Sequence, residues 1–187
     1  MQINFITGNQ QKVAIANAAL NPEFIIKATD IDLPEHQSMC LKEIAMNSAQ
    51  AALEILNKPL ILTDSGFFIE ALNGFPGPFV KWTNQTLSTE NFMAMLKGQQ
   101  NRRAYTEDCL VLGVPGQPLQ TFYCRVPGRV SLEPGSGMST ISKLFLPDQL
   151  GHVVAKLPSQ QEAEFWAKHN TNYAQLKAYL QKTFLNS

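Results

Sequence analysis

"INFITGNQQKVAIANAAL", residues 3–20, decides the fold class. INFIT is a short β-prone run, GNQQK is a turn, and Val13, Ala16 and Leu20 then recur at helical spacing. Strand, turn and helix in that order open an α/β protein. "EFIIKATDI", residues 23–31, is a second strand, and "DLPEHQ" leads from it into "LKEIAMNSAQAALEIL", residues 41–56. There Leu41, Ile44, Ala45, Ala52 and Ile55 fall on one helical face, while Glu43, Asn47, Gln50 and Glu54 fall on another. "PLILTD", residues 59–64, has the nearly continuous apolar character of a strand inside a sheet.

Further along the chain the style changes. Ser88 caps a helix through "TENFMAMLKG", which Gly98 closes. "AYTEDCLVLGV", the turn "PGQP" and "LQTFYCRV" form two antiparallel strands, followed by Gly128, Arg129 and Val130. Ser159 and Glu162 have capping-box spacing before "AEFWAKH", and Tyr173, Leu176 and Leu180 make the apolar stripe of a last helix. The expected fold class is α/β, a mixed sheet flanked by helices, with parallel units first and antiparallel strands later. With no internal repeat and no long linker, residues 1–187 are expected to form a single domain.

The composition excludes several function classes. Fifteen basic and fifteen acidic residues cancel, so no strong global field draws nucleic acid or a membrane surface, and an anionic ligand must be held by a few local groups. Cys40, Cys109 and Cys124 are odd in number and lack a CxxC pair, which suits free thiols in a reducing compartment. The start carries no secretory signal, and no run approaches the ~20 apolar residues of a membrane helix. The expected location is the cytoplasm.

The turn "TGNQQK" puts Thr7, Gly8, Asn9 and Lys12 between a strand and a helix N-terminus, where amides, the helix dipole and one lysine can cradle phosphate. An ordinary capped turn is the competing reading. Glu43 is an acid in a first helical turn, where it also complements the dipole. Asp64 ends the apolar strand, at the sheet's edge, where it can ligate a metal or take a proton from water. After it, Asp-Ser-Gly makes a good turn and Gly-Phe-Pro-Gly-Pro a rigid loop, leading to Lys81 and Trp82. Glu107 and Asp108 are expected to face solvent, and His169 to be a helix-surface or satisfied core histidine.

Taken together, "FITGNQQK", "DLPEHQ" with "KEI", "LTDSGFFIEALNGFPGPFVKW" and "PGRV" resemble, in order and spacing, the inosine triphosphate pyrophosphatase family, which acts on non-canonical purine nucleoside triphosphates. The resemblance is strongest over residues 3–82 and looser beyond. It implies an elongated fold with two lobes around a central cleft, usually a homodimer, that hydrolyses a nucleoside triphosphate to monophosphate and pyrophosphate with magnesium. By motif match, Thr7, Asn9 and Lys12 would hold phosphates, Glu43 and Asp64 would bind the metal, and Asp64 would orient or deprotonate water. Ser65, Lys81, Trp82 and His169 would contact substrate.

Departures from the family pattern open an alternative. Val13, Ala14 and Ile15 stand where the first helix usually has a glutamate, Thr63 where a second acid often precedes the aspartate, and Ser48 where a lysine is expected. The family's Phe-Gly-Tyr/Trp-Asp-Pro segment is replaced near "GSGMSTISKLF", and the later Ser-His-Arg pattern is reduced to His169 and Asn170. These losses fall on groups that would read a purine's carbonyl and imino groups, so the family's base preference need not carry over. The alternative is a catalytically inactive relative that binds a nucleotide or a protein.

Overall fold

A computed structural model describes residues 2–137 and 139–185. Strands β1 (Gln2–Ile6) and β2 (Ile25–Thr29) flank helix α1 (Gln10–Leu20), and α2 (Leu41–Leu56) precedes β3 (Leu60–Ile69). The short β4 (Pro76–Gly77) is followed by α3 (Val80–Thr86) and α4 (Thr89–Met95). Next come β5 (Arg103–Gly113), β6 (Gln120–Val130), α5 (Thr140–Leu144) and β7 (Phe145–Pro147), then α6 (Ser159–His169) and α7 (Thr171–Leu180). The strand order is β2-β1-β3-β5-β6-β7, with β4 paired on β3. The mixed α/β class read from the sequence is the one observed.

β1 runs parallel to both β2 and β3, with Phe5 opposite Ala28 and Ile61. Because β1 is covered on both faces, every one of its residues from Ile3 to Ile6 is buried. β5 and β6 are neighbours joined by residues 114–119, a connection short enough to require an antiparallel hairpin.

The chain divides into two compact units. The first holds residues up to Asp64, Asp108–Cys124 and those from Ala163 on, and the second Ser65–Glu107 with Arg125–Glu162. β3, β5 and β6 each begin in one unit and end in the other. The first unit's core joins Ile3 and Phe5 of β1, Ile15 and Leu20 of α1, Ile61, Leu110 and Phe122, and Tyr173, Leu176 and Leu180 of α7. The expected stripe of α7 is thus buried as read.

In the second unit Phe67 packs edge-on against Phe145, and Phe68 stacks on Tyr105. Arg102 donates to the carbonyls of Val130, Ser131 and Leu96 and to the Met93 sulfur. One guanidinium thereby ties the end of α4 to the ends of β5 and β6.

Four expectations need correction. Ile55, assigned to the buried face of α2, is 61% exposed, and Leu41, Ala45, Ala49 and Ala52 make the buried stripe. At 100° per residue Ile44 and Ile55 lie about 60° and 40° beyond the Leu41 edge of that stripe, on its flank. β3 does not stop at Asp64: it continues through Ser65, Gly66 and Phe67 and pairs with β4, so Asp-Ser-Gly is strand rather than turn. Asp108 does not face solvent; it is 7% exposed, sharing a strand face with the core residues Leu110 and Leu112. Finally, α6 begins at Ser159 itself, with Glu162 N donating to Pro158 O at 2.8 Å, which moves the cap one residue earlier.

The cysteines are free thiols: Cys40 exposed, Cys109 and Cys124 buried. Burial pushes the Cys109 thiol up to about 11. At pH 8, iodoacetamide is therefore expected to modify Cys40 in the folded protein, and the other two only in denaturant. Peptide mapping that found Cys109 modified as fast as Cys40 would contradict this packing.

Candidate active site

Beyond Ile61 the β1–β3 ladder stops, because β1 ends at Ile6 while β3 runs on. The connection from β1 departs toward β2, and the chain returns through α2 to the other side of β1. A crevice forms at the carboxyl ends of strands where connections diverge in this way. Here it is a cavity of about 210 Å³. Thr7 and Gly8 after β1, Asp30, Ile31 and Leu33 after β2, Ile44 and Ser48 of α2, and Leu62, Thr63 and Asp64 of β3 form most of its wall.

Alternation along β3 puts Ile61 and Thr63 on the side of α1 and α7, and Leu62 and Asp64 on the side of α2. Asp64 is partly exposed there, in the middle of a strand instead of at its end. Asp30 reaches the cavity from β2: a Cβ built on Gly8 would lie 3.2 Å from Asp30 Oδ2. A glycine at position 8 lets that carboxylate sit against the turn. Two acids thus line one cavity, and the second was missed in the sequence. Its signal was present, since Asp30 follows an apolar strand as Asp64 was read to do.

Asn9 caps α1. Its Oδ1 accepts from Gln11 N at 2.9 Å and Lys12 N at 3.4 Å, and Thr7 Oγ1 accepts from Asn9 N at 3.1 Å. The turn's own side chains therefore engage three of its amides. Lys12 Nζ donates to Thr63 O at 2.9 Å, crossing 51 residues to the strand that carries Asp64. Thr7, Asn9, Lys12 and Asp64 are in this way brought together in one unit.

Glu43 is exposed in the first turn of α2, its Oε2 accepting from Ser38 Oγ at 2.6 Å, next to the lining residue Ile44. His169, the last residue of α6, is half-buried with its ring centroid 4.5 Å from that of Phe165. Burial, followed by the charge of Lys168, lowers its pKa and favours the neutral imidazole. Ser65, Lys81 and Trp82 belong to the second unit, where Lys81 and Trp82 are exposed and the ammonium lies 6.0 Å from the indole centroid. Among the described residues no three His, Cys, Asp or Glu side chains cluster as a ready-made metal site.

Glycines in β3 and β4 have a packing role of their own. Gly66 lies so close to Phe68 that a Cβ would meet its ring at 2.7 Å, and Gly77, at φ +58, passes the edge of the same ring. At Gly66 only glycine leaves room for the ring, and at Gly77 the positive φ is what favours glycine.

Thr63 is 8% exposed, and its Oγ1 has no hydrogen-bond partner among the described residues. Removing such an orphan group relieves a desolvation cost, so Thr63→Val is expected to raise stability by roughly 1 kcal/mol. Urea unfolding measures it; a loss of stability would mean that the hydroxyl is bonded in solution.

The Ham1 family model matches residues 3–174. A dITP/XTP pyrophosphatase of Methanopyrus kandleri is 35% identical over 166 residues, 88% of each chain. An inosine triphosphate pyrophosphatase of Schizosaccharomyces pombe is 29% identical over 192 residues, covering 99% of this chain and 95% of its own. Among solved structures, a Staphylococcus aureus Ham1 protein superposes with a TM-score of 0.77 at 24% identity, over 97% of this chain and 99% of its own. That last likeness speaks for the fold alone.

Proposed function

Since the chain belongs to the Ham1 family, we propose that it is a nucleoside triphosphate pyrophosphatase, releasing monophosphate and pyrophosphate from non-canonical purine nucleotides. The observation that carries the reading is the cavity shared by Asp64 and the turn at the head of α1, with Lys12 tied one residue from the acid. Relatives matched over most of their length are named as pyrophosphatases, which weighs against the inactive alternative.

In this reading the phosphates lie against the positive end of α1. With the Asn9, Gln11 and Lys12 amides engaged, the Gly8 and Gln10 amides and the Lys12 ammonium are the groups that hold them. Asp64 orients the attacking water and takes its proton. The new bond joins water oxygen to phosphorus, the anhydride bond between the α and β phosphates breaks, and pyrophosphate leaves with that electron pair.

The carboxylates present fit a magnesium ion, which takes one or two protein carboxylates beside phosphate oxygens and water. Asp64 and Glu43 would hold it, with Asp30 on the same cavity wall, and it would neutralise charge on the phosphates during cleavage. Ser65, Lys81, Trp82 and His169 are assigned to substrate by the motif match. A homodimer in the cytoplasm completes the proposal; no helix among the described residues is long and apolar enough to cross a membrane.

Pyrophosphate release by the purified protein, with magnesium and a panel of canonical and deaminated purine and pyrimidine triphosphates, tests the reading. Metal-dependent release favouring deaminated purines is expected. A folded sample that releases none from any triphosphate would overturn it.

A further inference from the structure

Asp108 and Asn172, 64 residues apart, meet inside the first unit, at 7% and 0% exposure. Asn172 Nδ2 donates to Asp108 Oδ2 at 2.8 Å, and Asn172 Oδ1 accepts from Tyr173 N at 2.9 Å. Asn172 lies in the first turn of α7, so it engages an amide near a helix end and links the carboxylate to the positive pole of that helix. The placement is costly, because taking a carboxylate out of water is repaid only by good partners, and an apolar pair of similar volume often holds a core at least as well.

What the polar pair adds is direction. A single residue, Asn170, separates α6 from α7, and its N–H donates to Trp166 O at 2.7 Å while its carbonyl accepts from Tyr173 N at 3.2 Å. Across so short a corner, the anchor at the start of α7 bears directly on how His169 is presented. The His169 ring rests on buried Phe165 one turn back on the same helix, so its place follows that of α6, and at the start of α7 the anchor is the hydrogen bond to β5.

We propose that Asp108 and Asn172 are positioning residues, which fix the α6–α7 corner and thereby set how tightly His169 helps hold the nucleotide. The proposal rests on the assignment of His169 to substrate made above. It implies an effect on affinity rather than on the chemical step, because neither side chain lies on the wall shared with Asp64.

Asn172→Asp would set two carboxylates against each other. It is expected to raise KM about tenfold with kcat within about twofold, and to speed hydrogen exchange at the Tyr173 amide at least about tenfold. Combining it with Asp108→Asn reverses donor and acceptor, and both readouts are expected to return to within about threefold of the native protein. Asp108→Leu with Asn172→Leu should melt no lower than the native protein yet keep the raised KM.

A lowered melting temperature with KM unchanged in Asn172→Asp, or no recovery in the reversed pair, would overturn the positioning role. If the native protein turns over no triphosphate, Tyr173 exchange and the His169 ring resonances still decide: their movement in Asn172→Asp and return in the reversed pair support the corner device. Unmoved resonances overturn it independently of the enzymatic reading.

Discussion

Replacing Asp64 with asparagine is expected to lower pyrophosphate release by about 10³-fold, within the range that general bases contribute. The two side chains are nearly isosteric, so the change removes charge and basicity without opening a cavity. Asp64 sits where β3 outruns β1, on a wall that includes the turn at the head of α1. Asparagine there still accepts a hydrogen bond from water but cannot take its proton. The melting temperature should stay within a few degrees of the native value. A variant that keeps its rate to within about tenfold would show that the base lies elsewhere, and Asp30, the other carboxylate on this wall, would be the next to replace.

The largest effect on stability is expected at Gly128, far along the chain from that chemistry. β6 and β7 pair there with Gly128 opposite Pro147, and a Cβ on Gly128 would come within 2.5 Å of Leu146 O and 2.6 Å of Phe145 Cε2. The first obstacle is backbone and the second a fully buried ring, so neither can swing aside. Gly128→Ala should therefore cost roughly 3 kcal/mol, lowering the melting temperature by about 6–12 °C. Gly151→Ala is the matched control: nothing lies within 4 Å of its Cβ position, so the reduced freedom of the unfolded chain should leave it neutral or slightly stabilising. Equal losses in the two variants would mean that glycine's flexibility, and not the close approach, is what matters at position 128.

Much of the fold was legible because its signals are local. A β-prone run followed by a turn and apolar residues at helical spacing gave β1 and α1; Ser88 capped α4 as its spacing indicated, with Asn91 completing the box. The capped turn at the head of α1 and Asp64 could be singled out on the same footing, since cap chemistry and a carboxylate after an apolar strand are visible in a few consecutive residues. The failures share a cause as well. Whether a strand stops depends on partners that sequence does not name, so β3 was ended at Asp64 although, beside β5 and paired with β4 at Phe67 and Phe68, it runs to Ile69. A helix face is decided by what covers it, which is why Ala49 and not Ile55 is buried on α2.

By itself, then, the sequence determined the α/β class, the order of most elements, the capped turn of Thr7, Asn9 and Lys12, and the acid at position 64. Each follows from hydrogen-bonding and hydrophobic patterns within about a dozen residues. The tertiary structure alone decided that Asp30 and Ser48 share a cavity with Asp64, that Lys12 reaches Thr63, and that Asp108 is buried against Asn172. Those meetings join residues from different elements, 51 and 64 positions apart in the last two cases. They depend on which strands pair and which helix covers them, and no local pattern encodes that choice.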